Sequence, residues 1–137
     1  MKYKNQSGID VHNHWVPEKY IDDIKKGRLK DLAFFVKTEK GDTLQFPVPG
    51  NDTKAWIPVK QEMIDFEKRY QDMADTSVEK TVICPVPFAF HYHGEPEHVL
   101  EVCQLLNDST AEAVSRDTAR LRGLAHVPLQ SPHLAVK

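Results

Sequence analysis

The sequence predicts an α/β fold built on a parallel sheet. Three observations predict it. Apolar runs bounded by glycine or proline alternate with segments whose apolar residues recur every three or four positions. The run Thr81-Val82-Ile83-Cys84-Pro85-Val86 is apolar and β-branched without polar alternation, as in strands covered on both faces. Pro96 and the pair Ser131-Pro132 stand where helices begin. Strands that alternate with helices imply right-handed crossovers between parallel neighbours.

The elements follow in order. Residues 8–12 read as the first strand. Glu18 to Lys26 carries Tyr20, Ile21 and Ile24 on one side and stops at Gly27, a short helix with a glycine end. Phe34 to Thr38 and Thr43 to Phe46 are β-rich runs around Glu39-Lys40-Gly41-Asp42, a hairpin signal. Pro47, Pro49, Gly50-Asn51-Asp52 and Pro58 mark an irregular connection. Gln61 to Ser77 is a helix, with Met63, Phe66, Tyr70 and Met73 as its apolar stripe. The run from Thr81 is the second strand of the sheet, followed by a loop from Phe88 to Gly94. A helix from Pro96 to about residue 115 buries Val99, Cys103, Leu106, Ala113 and Val114. Leu121 to Val127 is the third strand, and another helix starts at Ser131.

Three parallel strands close nothing. A (β/α)8 barrel takes eight strand–helix units and about 250 residues, whereas the chain has 137 residues. The expected fold is therefore a partial TIM (β/α)8 barrel: its first three strands, with an inserted β-hairpin over about residues 32–60. Residues 1–137 read as the N-terminal part of one barrel domain, cut inside its last helix.

Bulk composition narrows the function. Apolar residues make up 40% and charged residues 28%, with a net charge of −2, so the basic stripe of a nucleic-acid binder is absent. The longest apolar runs are too short to span a bilayer, and residues 1–7 lack the apolar core of a secretory leader. Cys84 and Cys103 sit in apolar settings and read as reduced thiols. A cytoplasmic protein is expected, without nucleic-acid or membrane partners.

His12 and His14 carry the sharpest chemical signal. Residues i and i+2 of a strand share a side, so both imidazoles reach one ion. Divalent metals such as zinc favour imidazole, and a catalytic site keeps a position open for water. A bound ion brings the pKa of that water toward neutrality. Two ligands do not hold an ion tightly, so further ligands are required. Asp10 shares their side of the strand, as a partner of the histidines or as a structural hydrogen-bonding group. His91-Tyr92-His93 is a second pair on a proline-rich loop; pocket mouth or solvent is its expected place. His126 reads as a satisfied core histidine, and His98 and His133 as solvated. Trp15, Trp56, Phe88 and His91 lie near the expected rim as substrate-proximal candidates, against ordinary packing for the aromatic three. No phosphate loop, nucleophile elbow or Cys-x-x-Cys is present.

Ile9-Asp10-Val11-His12-Asn13-His14-Trp15-Val16-Pro17 resembles the opening strand motif of the amidohydrolase superfamily. The branch it is most similar to contains aminocarboxymuconate-semialdehyde decarboxylase and related non-oxidative decarboxylases. Gly41-Asp42-Thr43, Arg69-Tyr70-Gln71-Asp72-Met73, Pro85-Val86-Pro87-Phe88, Leu105-Leu106-Asn107-Asp108 and Leu121 to Gln130 fit the same branch in the same order. The resemblance implies a metal-dependent barrel, commonly with zinc and without an organic cofactor, in which His12 and His14 are metal ligands. It implies a further histidine ligand, an aspartate ligand and a catalytic histidine beyond Lys137, so no catalytic residue is identifiable in this chain. Members often pair as homodimers. Two departures stand out. Ile57 occupies the place of a carboxylate-gripping arginine, and Ser77 stands where a glycine usually precedes the valine of the second strand.

The expected activity is metal-dependent, non-oxidative decarboxylation of a small unsaturated or aromatic carboxylate. One alternative is hydrolysis of an amide, ester or lactone at the same ion. Another is a catalytically inactive truncated fragment or interaction module.

Overall fold

The computed structural model describes residues 7–137; the reading of residues 1–6 as part of a leaderless terminus lies outside them. The element order is β1 (Gly8–Trp15), α1 (Glu18–Lys25), β2 (Phe34–Thr38), β3 (Gly41–Pro47), β4 (Lys54–Pro58), α2 (Phe66–Thr76), β5 (Val78–Pro85), α3 (Pro96–Arg116), β6 (Leu121–Gly123) and α4 (Pro132–Ala135). Single 3-10 turns at Gln61–Met63 and Pro87–Phe90 precede α2 and α3.

Two sheets result. β1, β5 and β6 form a parallel sheet in that order, with β5 central. β2, β3 and β4 form an antiparallel meander. The expected hairpin is β2–β3, and the segment expected to be irregular adds a third strand to it. Lys54–Pro58 pairs residue by residue with Thr43–Pro47, between the breakers Gly50 and Pro58.

Helix limits follow from capping. α2 begins at Phe66, not Gln61, because the Asp65 side chain accepts from the backbone N–H of Glu67 at 2.8 Å. The residues before it are drawn away: the Met63 carbonyl accepts from the Val16 N–H at 2.9 Å. Ser77 ends α2 in the left-handed region, with φ of 59°. That conformation favours glycine, so serine occupies it at a conformational cost.

The core lies on one side of the parallel sheet and under the meander. Thr81 and Ile83 of β5 are fully buried toward the helices. Trp15, Ile83, Ala113 and Leu121 pack there with Phe66, Tyr70 and Val114. A second cluster joins α1, the meander and α3 through Tyr20, Ile24, Leu32, Leu44, Phe46 and Leu106. The opposite face of β5 differs from expectation: Val82 and Cys84 are only half-buried. Ile9 and Val11 of β1 are 61% and 68% exposed. An apolar strand was expected to be covered on both faces; among the described residues only the helix side is covered.

β6 is shorter than expected and ends at Gly123. Beyond it the backbone of His126 is held by a side chain. Asn107 on α3 accepts from the His126 N–H at 3.0 Å and donates to its carbonyl at 2.9 Å. Cys84 and Cys103 are both free thiols, and no helix among the described residues is long and apolar enough to cross a membrane.

Gly123 marks a close approach of β6 to α3. A Cβ there would stand 2.5 Å from Cγ2 of Thr110 and 3.3 Å from Cγ2 of Val114. Thr110 is β-branched and buried, so it has little room to yield. Gly123→Ala is expected to lower unfolding stability by about 1–3 kcal/mol in a urea titration. An unchanged midpoint would show that β6 and α3 are not packed this closely.

Candidate metal centre

β1 runs through both histidines. Asp10 pairs with Thr81 and Asn13 with Ile83, so β1 advances three residues while β5 advances two. The extra residue makes a bulge. The Asp10 carboxylate closes it, with Oδ1 accepting from the His12 N–H at 3.0 Å and Oδ2 from Nδ2 of Asn13 at 2.8 Å. Asp10 thus serves the backbone turn and its neighbour; neither bond goes to an imidazole ring.

Beyond the bulge, Asn13 lies in register with buried Ile83, and His14 in register with half-buried Cys84. Asn13 therefore faces the helix side and His14 the open side. On the helix side, the buried Arg69 donates through Nη1 to Oδ1 of Asn13 and through Nη2 to the His14 carbonyl at 3.0 Å and the Glu62 carbonyl at 3.1 Å. Burial pulls the guanidinium below its usual pKa, and the charges of Asp10 and Asp72 oppose that pull.

His12 is exposed and His14 half-buried. Their rings meet edge to face, with centroids 4.8 Å apart and planes at 81°. The two Nε2 atoms are 3.2 Å apart. Two nitrogen ligands at tetrahedral positions around one zinc ion stand about 3.3 Å apart, given Zn–N bonds of about 2.05 Å. The pair therefore fits a shared divalent ion with no ring movement beyond small adjustment. Sγ of Cys84 lies 3.5 Å from Nδ1 of His14. Burial, then the charge of Asp10, pushes the Cys84 thiol up. No group of three or more His, Cys, Asp or Glu side chains among the described residues is arranged to hold an ion.

The other candidates separate. His91 is 2% exposed, not in solvent, and it lines a cleft beside the meander. It ends the 3-10 turn in the left-handed region, with φ of 51°, and this turns its ring inward. Its Nε2 is 2.7 Å from the Tyr20 hydroxyl, and Nδ1 has no partner among the described residues. Burial pushes its pKa down to about 3, with smaller like-charge contributions from His93, His126 and His98. The His91 and His93 rings stand beside each other, 6.1 Å apart. His126 is buried as expected of a core histidine but not satisfied: both its ring nitrogens lack partners among the described residues, and burial lowers its pKa too.

Of the aromatic candidates, Trp15 takes the packing role. It is 7% exposed and sits 5.2 Å from the Phe66 ring in the helix-side core. Trp56 is 63% exposed on the edge strand of the meander. Phe88 is 43% exposed and stacks on Phe46, with ring centroids 5.5 Å apart and planes at 18°. Phe46, Phe88, Phe90, His91 and Tyr92 line an open cleft of about 520 Å³ between the meander and the loop after β5. Ile57 packs inward against the core of the meander, opposite Leu44.

Sequence reasoning did not give roles to Asn13, Arg69, Tyr20 and Asn107. An arginine in an otherwise apolar helix stripe is a signal that can be read: Arg69 lies three residues after Phe66 and four before Met73. The partners of Tyr20 and Asn107 lie 71 and 19 residues away and leave no local trace.

The buried His91 makes the fold sensitive to acid. In the unfolded chain its imidazole takes up a proton near the ordinary 6.5; in the folded chain only near 3. Between those values the unfolded state holds the extra proton, so stability falls as pH falls, by up to about 1.4 kcal/mol per pH unit. Chemical denaturation at several pH values should show this loss, and His91→Phe should reduce its slope, leaving the share due to His126. An identical slope in the variant would assign the loss to other groups.

Comparisons with known proteins bear on the fold. No protein-family profile matches the chain. The 2-amino-3-carboxymuconate-6-semialdehyde decarboxylase of Dictyostelium discoideum is 29% identical over 86 residues, which is 63% of this chain and 22% of that protein. The IDCase of Metarhizium anisopliae superposes with a TM-score of 0.72 at 15% identity, over 93% of this chain and 36% of that one. The 2,6-dihydroxybenzoate decarboxylase of Rhizobium gives 0.60 at 18% identity, over 95% and 32%. A dihydroxybenzoic acid decarboxylase of a Polaromonas species, solved with manganese and 2-nitroresorcinol, gives 0.61 at 18% identity, over 95% and 33%. The chain spans about a third of these solved structures. The chain is thus similar in sequence to part of the Dictyostelium discoideum decarboxylase, and it has the fold of the matching third of these solved structures.

Proposed function

We propose that this chain forms the metal-binding end of a non-oxidative decarboxylase of small unsaturated or aromatic carboxylates. The observation that carries the reading is the convergence of the His12 and His14 Nε2 atoms at the distance two ligands of one ion require. The decarboxylases similar in sequence and fold support it, and one of them was solved with manganese. We extend the proposal to organisation: residues 1–137 are the N-terminal part of one barrel domain, and the ligands that complete the ion's shell come from outside them. The ion is divalent, with zinc the first candidate and manganese the second.

A divalent ion, when bound, supplies Lewis acidity and a water of lowered pKa. The remaining tasks belong to the chain. His12 and His14 offer neutral imidazole lone pairs. Arg69 and Asn13 hold the strand that carries them from behind. Phe88 and His91, at the cleft beside the meander, supply an aromatic wall and a neutral polar ring against a planar substrate. Ile57 offers no charge to a substrate carboxylate, which argues for a substrate other than the semialdehyde. The chemistry requires no organic cofactor, and the partner is the small carboxylate itself. We include a cytoplasmic homodimer in the reading.

The test is metal content and product analysis of the full-length protein. His12→Ala and His14→Ala should each lose bound metal and reduce CO2 release by a factor of at least about 100. Full metal occupancy and activity in both variants would end the proposal. A substrate panel that scores CO2 release against ring opening separates decarboxylation from amide, ester or lactone hydrolysis.

A further inference from the structure

Cys84 stands in register with His14 on the neighbouring strand. Its Sγ is 3.5 Å from Nδ1 of His14 and 3.7 Å from the Asn13 carbonyl oxygen. A thiol has one proton to donate and a sulfur that accepts weakly. The Asn13 carbonyl accepts only, so the S–H is directed there. The sulfur lone pairs are then left facing His14, and the contact is made by Nδ1–H donating to Sγ. A neutral imidazole carries a single N–H, and the hydrogen bond at one nitrogen decides the state of the other. With the proton on Nδ1, Nε2 of His14 is bare. In that tautomer it can only accept from Nε2–H of His12, 3.2 Å away, through the lone pair that an ion would take.

We propose that Cys84 is a positioning residue for the candidate metal centre: it holds the His14 ring by Nδ1 and so presents a bare Nε2 beside His12. The inference rests on the proposed function for its purpose, while the hydrogen-bond chain from Asn13 through Cys84 and His14 to His12 stands on geometry. Partners behind metal-bound histidines usually orient the ring, and losing one weakens metal binding about 10–100-fold. Here a thiol from the adjacent strand fills that position. Asp10 does not, since both its carboxylate oxygens are engaged with the backbone of His12 and the side chain of Asn13.

The experiment is ¹⁵N NMR of the histidine rings of the full-length protein at neutral pH, with Zn²⁺ titration by calorimetry, on wild type, Cys84→Ala and Cys84→Ser. Wild type should show His14 protonated at Nδ1 and bare at Nε2. Cys84→Ala should move the proton toward Nε2 and weaken Zn²⁺ binding about tenfold or more. Cys84→Ser keeps a group that both donates and accepts, and should retain the wild-type tautomer and most of the affinity. A wild-type His14 protonated at Nε2 overturns the proposal without need of any variant, and so does an unchanged tautomer in Cys84→Ala. The expected tautomers combined with no Zn²⁺ binding by wild type would uphold the Cys84 contact and remove the metal reading.

Discussion

Arg69 is 4% exposed and lies where β1, the turn before α2 and α2 itself meet. A guanidinium is charged at any physiological pH and has five donors to satisfy. Burying it away from water is costly unless acceptors surround it. The Asn13 side chain and two backbone carbonyls take three of its N–H groups, while Nε has no partner among the described residues. Asn13 in turn binds Asp10, which brings a carboxylate into the same network. Removing the guanidinium would orphan part-buried acceptors on two segments at once, β1 and the turn before α2. The network fixes Asn13 to the helix side of the sheet, and the residues flanking Asn13 are thereby sent to the open side. The histidine pair is thus set by a contact made behind it.

The two faces of the parallel sheet have different physical characters. Toward the helices, Thr81, Ile83 and Leu121 are almost inaccessible, and aromatic rings fill the gaps. Toward the open side lie the chemically capable groups: His12, His14 and Cys84. This division suits an enzyme of barrel type, in which the packed layer provides stiffness and the strand ends provide reactivity. The meander adds a third surface. It packs against α1 through Leu44 and Phe46 and forms a cleft with the loop after β5.

Most of the architecture was legible because it depends on periodicity and punctuation. The α3 stripe, Pro96 at its start and the apolar run of β5 each have a local physical cause, and the structure follows them. What was not legible depends on partners distant in sequence. The β4 strand carries too few β-forming residues between Gly50 and Pro58 to declare itself; it exists because β3 offers it an edge. The early stop of β6 reflects Asn107, whose amide takes the place of a neighbouring strand at His126. For the site, the i, i+2 spacing of His12 and His14 could be read directly. The burial of His91 could not, since it depends on a left-handed backbone at a non-glycine residue and on a tyrosine in α1. Trp15 looked like a rim residue by proximity to the histidines. Strand parity sends it the other way, into the layer beneath α2 and α3.

The bulge of β1 has a consequence for how this segment tolerates change in length. Between Asp10 and Asn13 the strand holds one residue more than its neighbour. Removing Val11 would leave two steps on each strand, so Asn13 would stay opposite Ile83 and His14 opposite Cys84, with their faces kept. One residue added between Asn13 and His14 meets no such slack: it would turn the His14 imidazole into the hydrocarbon layer and release the Trp15 indole to the open side. The strand therefore absorbs a change in length before Asn13 and inverts under one after it.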